Sequence, residues 1–120
     1  MKRLLTLCAA FAALGSSHAV AWDSYGAIAI SSTTSAYGMS WGKLTAFDAQ
    51  LQARLHCAMP DCFVAVTVRN GCASVASGFA GRYGWAIRSN AWLASSAALV
   101  NCSLLTTSCT TRATVCAFPF

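Results

Sequence analysis

An α+β domain built twice over is what this sequence predicts: two strand-strand-helix-strand units forming one two-layer domain stapled by disulfides. Three observations predict it. The dipeptide Tyr-Gly recurs at Tyr37 and Tyr83, opening two stretches that run in the same order at an offset of about 46 residues. Each stretch contains a row of small residues at intervals of four that ends in cysteine: Ala49, Ala53 and Cys57 in the first, Ala94, Ala98 and Cys102 in the second. The cysteines that follow the N-terminal segment are also even in number: seven in the chain, minus Cys8, leaves six. Neither unit of about 45 residues can bury a stable core alone, so the two make one domain, with repeats over 25–69 and 70–117.

The first strand is expected from Tyr25, where Ile28 and Ile30 fall on one side of an extended chain before a Ser/Thr-rich turn. Ala36 to Gly42 alternates Tyr37, Met39 and Trp41 with Gly38 and Ser40, a period of two that makes it the hairpin partner. Thr45 is a natural helix N-cap with Asp48 three residues on, and Leu44, Phe47, Leu51 and Leu55 recur at helical spacing. The small row Ala49, Ala53, Cys57 is where this helix can lie close to a sheet. Pro60 and Asp61 turn the chain, and Phe63 to Val68 is a valine-rich buried strand closed by Asn70-Gly71.

The cycle restarts at Gly71 to Ala76, followed by Tyr83-Gly84-Trp85. Asn90 takes the capping place of Thr45, and Trp92, at the place of Phe47, is expected in the core. Cys109 and the strand Thr111 to Ala117 then mirror Cys62 and its strand.

Repeat symmetry constrains pairing where six cysteines alone would allow 15 connectivities. Cys57 with Cys62 and Cys102 with Cys109 hold equivalent positions and should pair alike. Cys72 and Cys116, whose counterparts Ala27 and Arg69 are not cysteines, then join the two remaining strands. Zinc is the rival use of these residues; with one His beyond residue 19 and no Cys-x-x-Cys pair, disulfides are the expectation and no metal or cofactor is expected.

Lys2 and Arg3, an apolar run from Leu4 to Leu14, and small residues at Ser17 and Ala19 read as a secretory signal peptide over residues 1–19, cleaved after Ala19. The apolar run is well short of the ~20 residues that span a bilayer. A lipid anchor on Cys8 is disfavoured by the bulky Leu7 before it. The exported domain is then 20–120, periplasmic or extracellular, in the oxidising setting that suits its cysteines. Its formal charge is +5 − 2 = +3, with the cations scattered singly, so nucleic acid is not an expected partner.

Taken together, Tyr25 to Ile30, Ala36 to Gly42, Ala49 to Cys57, Asp61-Cys62, Asn70 to Ala73, Tyr83 to Ala86, Ala94 to Cys102, Cys109 and Cys116 carry a resemblance. In that order they resemble the bacterial domain-of-unknown-function 4189 family, over nearly the whole chain beyond the leader. The resemblance implies export and a disulfide-bonded domain, and brings no catalytic residues.

Candidate chemistry is sparse. His56 and Cys57 are neighbours, as in a nucleophilic pair, but adjacent helical residues point about 100° apart and Cys57 has a disulfide partner. Asp23, Asp48 and Asp61 are the only acids, and a glycosidase needs two across a cleft. The expected function is therefore non-catalytic: an exported binding or interaction protein, such as an inhibitor or immunity-type protein of the cell envelope. Its partner would be another protein or an envelope glycan. A small envelope hydrolase and a structural or stress-tolerance protein are the alternatives. Tyr37, Trp41, Arg82, Tyr83, Trp85 and Arg88 are the candidate binding residues, since exposed aromatics beside arginine make good anchors. The competing reading of the same aromatics is that they cover the sheet beneath the helices.

Overall fold

Small residues decide how the layers of this fold meet. The structure is a computed structural model that describes residues 22–119. The expected leader, its cleavage point and Cys8 lie outside the described residues. Strand β1 (Tyr25–Ile30) is the centre of a three-stranded antiparallel sheet, flanked by β2 (Tyr37–Lys43) and β3 (Phe63–Arg69). The second sheet repeats the plan, with β4 (Gly71–Ser77) between β5 (Tyr83–Arg88) and β6 (Thr110–Ala117). Helix α1 (Ala46–Cys57) joins β2 to β3, and α2 (Ala91–Ser103) joins β5 to β6. The fold is thus α+β, two strand-strand-helix-strand units each with a helix layered on a sheet. A short 3-10 turn over Phe79–Gly81, which nothing in the periodicity suggests, replaces the plain turn of the first unit.

The pleat sorts each central strand into two faces. In β1, Ile28 and Ile30 point to one side; with Val66 and Val68 they pack against Ala73, Val75, Ala113, Val115 and Ala117 of the other sheet. The units therefore meet sheet to sheet and carry their helices on the outside. On the helix side of β1, Ala27 and Ala29 meet Ala49, Ala53 and Cys57 of α1. In the second unit Ala76 and Ala86 meet Ala98 and Cys102 of α2.

Glycine makes that contact close. A Cβ on Gly38 would stand 2.2 Å from the Ala53 carbonyl oxygen and from the Cys57 nitrogen, and one on Gly84 would stand 2.2 Å from the Cys102 nitrogen. The Tyr-Gly of β2 and that of β5 thus mark where the last turn of each helix rests on a strand.

Both caps form as their residues dictate. Thr45 Oγ1 accepts from the Asp48 N–H at 3.1 Å, and Asn90 Oδ1 accepts from the Leu93 N–H at 2.8 Å. The disulfides follow the repeat: Cys57–Cys62 and Cys102–Cys109 tie each helix end to the approach of its strand, and Cys72–Cys116 bridges directly paired residues of β4 and β6.

One residue, Asn70, links the two units, in the left-handed region at φ 54°. Its N–H donates to the Ser24 carbonyl and its side-chain oxygen accepts from the Ser24 N–H, each at 2.9 Å; its side-chain amide donates to Asp23.

One expectation is corrected here. Trp92 is 75 % exposed, not core, because the side of α2 that lies on the sheet is the Ala94, Ala98, Cys102 row, and Trp92 sits about 200° around the helix from Ala94. The large apolar residues of the first unit behave the same way: Leu44, just before α1, and Phe47, Leu51 and Leu55 on it all face solvent.

Candidate functional site

Edge strands carry the candidate binding residues. Each sheet has its Tyr-Gly strand, β2 or β5, at one edge. Tyr37 and Trp41 on β2 are exposed, Trp41 by 59 %. On and beside β5, Arg82, Trp85 and Arg88 are exposed, Trp85 by 46 %, while Tyr83 is half-buried with its ring 5.4 Å from that of Phe63 on β3. The aromatics thus stand at the rims of the sandwich instead of lying beneath the helices.

Stacking separates the two sets. β2 lies against β6 and β3 lies against β5, so Tyr37 and Trp41 occupy one rim and Tyr83 and Trp85 the opposite one. The six residues do not make one surface. Around Trp41 a shallow hollow of about 270 Å³ is lined by Met39, Ser40, Lys43 and His56. Around Trp85 there are two hollows that share Trp85 and Ile87. One, of about 610 Å³, runs along the β5 edge to Asn101 and Leu105; the other, of about 340 Å³, reaches Gln50 and residues Val64 to Thr67 of β3.

Side chains occupy carbonyls of both Tyr-Gly strands, His56 and Asn101 from the helix above and Arg88 from the end of β5 itself. His56 Nδ1 lies 3.0 Å from the Met39 carbonyl oxygen, and since a carbonyl only accepts, Nδ1 carries the hydrogen. Asn101 donates to the Trp85 carbonyl at 2.8 Å, and the Arg88 guanidinium donates to the Ile87 carbonyl at 2.7 Å. Arg82 turns instead to the Leu105 carbonyl, at 3.3 Å. Asn101 escaped the sequence reading, although its place directly before Cys102 matches that of His56 before Cys57. Ile87 and Gln50 escaped too, because only the stacking of the sheets brings them beside Trp85.

The candidate catalytic groups are dispersed. The Cys57 sulfur is bonded to Cys62 and His56 is engaged with β2. Asp48 sits in the first turn of α1. Asp23, 3.2 Å from Arg69, precedes β1, whereas Asp61 accepts from Ser31 and Thr33 just beyond its other end. A strand of that length separates them by about 20 Å, against the roughly 5–9.5 Å that paired-carboxylate hydrolysis uses. Hydrogen bonds from Thr33 and then Ser31 hold the Asp61 carboxyl below its ordinary range. Among the described residues, no group of three or more His, Cys, Asp or Glu is gathered as metal ligands.

The family described as Domain of unknown function (DUF4189) matches residues 25–116, from the first residue of β1 to the cysteine that bridges β6 to β4. The chain belongs to the DUF4189 family. No curated protein and no solved structure matches it. In this DUF4189 domain all the described cysteines are paired, as in proteins that fold outside the reducing cytoplasm. No helix among its described residues is long and apolar enough to cross a membrane.

Proposed function

We propose that this DUF4189 domain is an exported, non-catalytic binding protein of the cell envelope, acting on another protein as an inhibitor or immunity-type partner does. One observation carries the reading: most of the largest apolar side chains are outside. Alanine, valine, cysteine and the isoleucines of β1 fill the layers, while Trp41, Trp85, Phe47, Leu51, Leu55 and Trp92 stand in solvent on rigid elements. Exposed apolar surface of that kind is characteristic of interaction faces, and a disulfide-bonded scaffold holds it in place so that little conformational freedom is lost on binding. A protein partner fits faces of this kind, in which exposed leucines stand beside the aromatic side chains on the outer side of α1.

The test is capture from envelope extracts by the oxidised protein, followed by the same capture with Trp41→Ala and with Trp85→Ala. Loss of a specific partner in either variant, at unchanged melting temperature, supports the reading. Turnover of an envelope polymer by the purified protein would overturn it in favour of a hydrolase.

A further inference from the structure

The rim that carries Trp85 holds two strand edges side by side, β5 of one sheet and β3 of the other, and they are finished differently. On β5, Asn101 and Arg88 occupy outward carbonyls. On β3, no side chain among the described residues hydrogen-bonds to the backbone; Gln50 approaches it and bonds the Thr67 hydroxyl instead. Phe63 to Val68 also contains no Pro, no Gly and no charge, and the Arg69 that ends β3 is paired with Asp23. A bare edge rich in β-branched residues is a template for another strand, and folds that mean to stay single blunt it.

We infer that β3 is the seam of a homodimer, pairing antiparallel with β3 of a second copy so that two three-stranded sheets become one of six. A second copy is the occupant because the edge is complementary to itself about a two-fold axis. β3 bulges against β1 between Val64 and Val66, which leaves Ala65 and Val66 both on the inter-sheet side and Val64 and Thr67 on the helix side. In a two-fold register that sets Val66 opposite Ala65 of the second copy, Thr67 falls opposite Val64 and Val68 opposite Phe63. Each pair then shares a face. No like charges meet, since Arg69 falls opposite Cys62 of the second copy.

Trp85 and Ile87 stand beside this seam, across the hollow of about 340 Å³ from Val64 to Thr67. Their counterparts in the second copy cover them, adding the apolar burial that a hydrogen-bonded ladder lacks. β5, with its carbonyls capped, packs at the interface without pairing. The inference rests on the reading of Trp85 as a binding anchor and names what it binds. Trp41 and the outer helix faces remain for the other partner.

The experiment is sedimentation equilibrium of the oxidised protein purified after export, with amide hydrogen exchange on the same samples. The expected result is a concentration-dependent doubling of mass with slowed exchange in β3 as the dimer forms. Ile87→Lys, at an exposed position, should weaken dimerisation at least about tenfold by placing like charges beside the seam. A wild-type monomer up to about 1 mM, the weakest affinity worth naming, overturns the inference. So does a dimer with β3 exchange unchanged, or one indifferent to Ile87→Lys. A monomer that still loses its envelope partner on Trp85→Ala overturns the dimer and keeps the binding reading; a dimer that captures nothing does the reverse.

Discussion

Asn101 donates its side-chain amide to the Trp85 carbonyl at 2.8 Å from the place directly before Cys102, as His56 meets the Met39 carbonyl at 3.0 Å from the place directly before Cys57. Both units thus finish their Tyr-Gly edge with a polar residue from the helix end. The device closes strand edges that the chain leaves otherwise exposed, and it makes the capping residue matter more for solubility than for folding.

Asn101→Ala should cost only about 0.5–1.5 kcal/mol in denaturant unfolding, since the freed carbonyl is solvated by water. Its larger effect should be on association: the β5 edge becomes available, and light scattering at a fixed concentration should rise above wild type. Unchanged scattering would remove the edge-capping role.

Gly38→Ala and Gly84→Ala should be far more damaging than their size suggests. Each added methyl meets helix backbone, not a mobile side chain: Ala53 and Cys57 around Gly38, Asn101 and Cys102 around Gly84. The helix must lift from its sheet, and over-packing of this kind costs about 1–3 kcal/mol or more. Gly71→Ala is the control, because a Cβ there meets its nearest neighbour at 3.3 Å and Val68 at 3.5 Å. A chemical-denaturation series should rank both Tyr-Gly variants well below it.

The same glycines explain what could and could not be read from the sequence. Thr45 and Asn90 were legible as caps, and the cysteine pairs as symmetric, because those features depend on local spacing repeated in two units. The exposure of Trp92 was not, because hydrophobicity alone sends the largest apolar residues inward. Here the strands under each helix offer glycine and alanine, so only the alanine row fits and Trp92, Phe47 and Leu51 are turned out. The separation of Trp41 from Trp85 was also hidden. It depends on which sheet faces meet, a relation between the units that neither unit's pattern contains.

The disulfides should differ in worth. Cys72–Cys116 closes a separation of 44 residues and Cys57–Cys62 one of 5. Loop-closure entropy credits them with about 4 and about 2 kcal/mol respectively. Replacing both members of the first pair with alanine should lower the melting temperature by clearly more than replacing both members of the second. Equal losses would show that native packing around each bridge, not the unfolded chain, dominates.

Acid should loosen the junction between the Ser31 turn and the loop after α1. Asp61 accepts from Thr33 Oγ1 at 2.7 Å and from Ser31 Oγ at 2.8 and 2.9 Å, which lowers its folded pKa below the unfolded value. A depressed carboxyl contributes stability that is complete above the unfolded pKa and lost as pH falls through the folded one. Stability should therefore decline from about pH 4 downwards, and Asp61→Asn should flatten that part of the profile. An identical acid profile in the variant would assign the loss to other groups.

Trp92→Ala and Phe47→Ala test the inside-out arrangement directly. Both side chains are 75 % exposed and occupy equivalent positions near the starts of α2 and α1. Truncating a buried residue of this size costs about 3–5 kcal/mol, whereas surface changes fall within about 0.5 kcal/mol. Each variant should therefore unfold at nearly the wild-type denaturant midpoint, and the Trp92 contribution to fluorescence should be that of a solvated indole. A loss of several kcal/mol in either would mean that the helix faces are covered in the folded protein, and non-additivity in the double variant would then show whether one partner covers both.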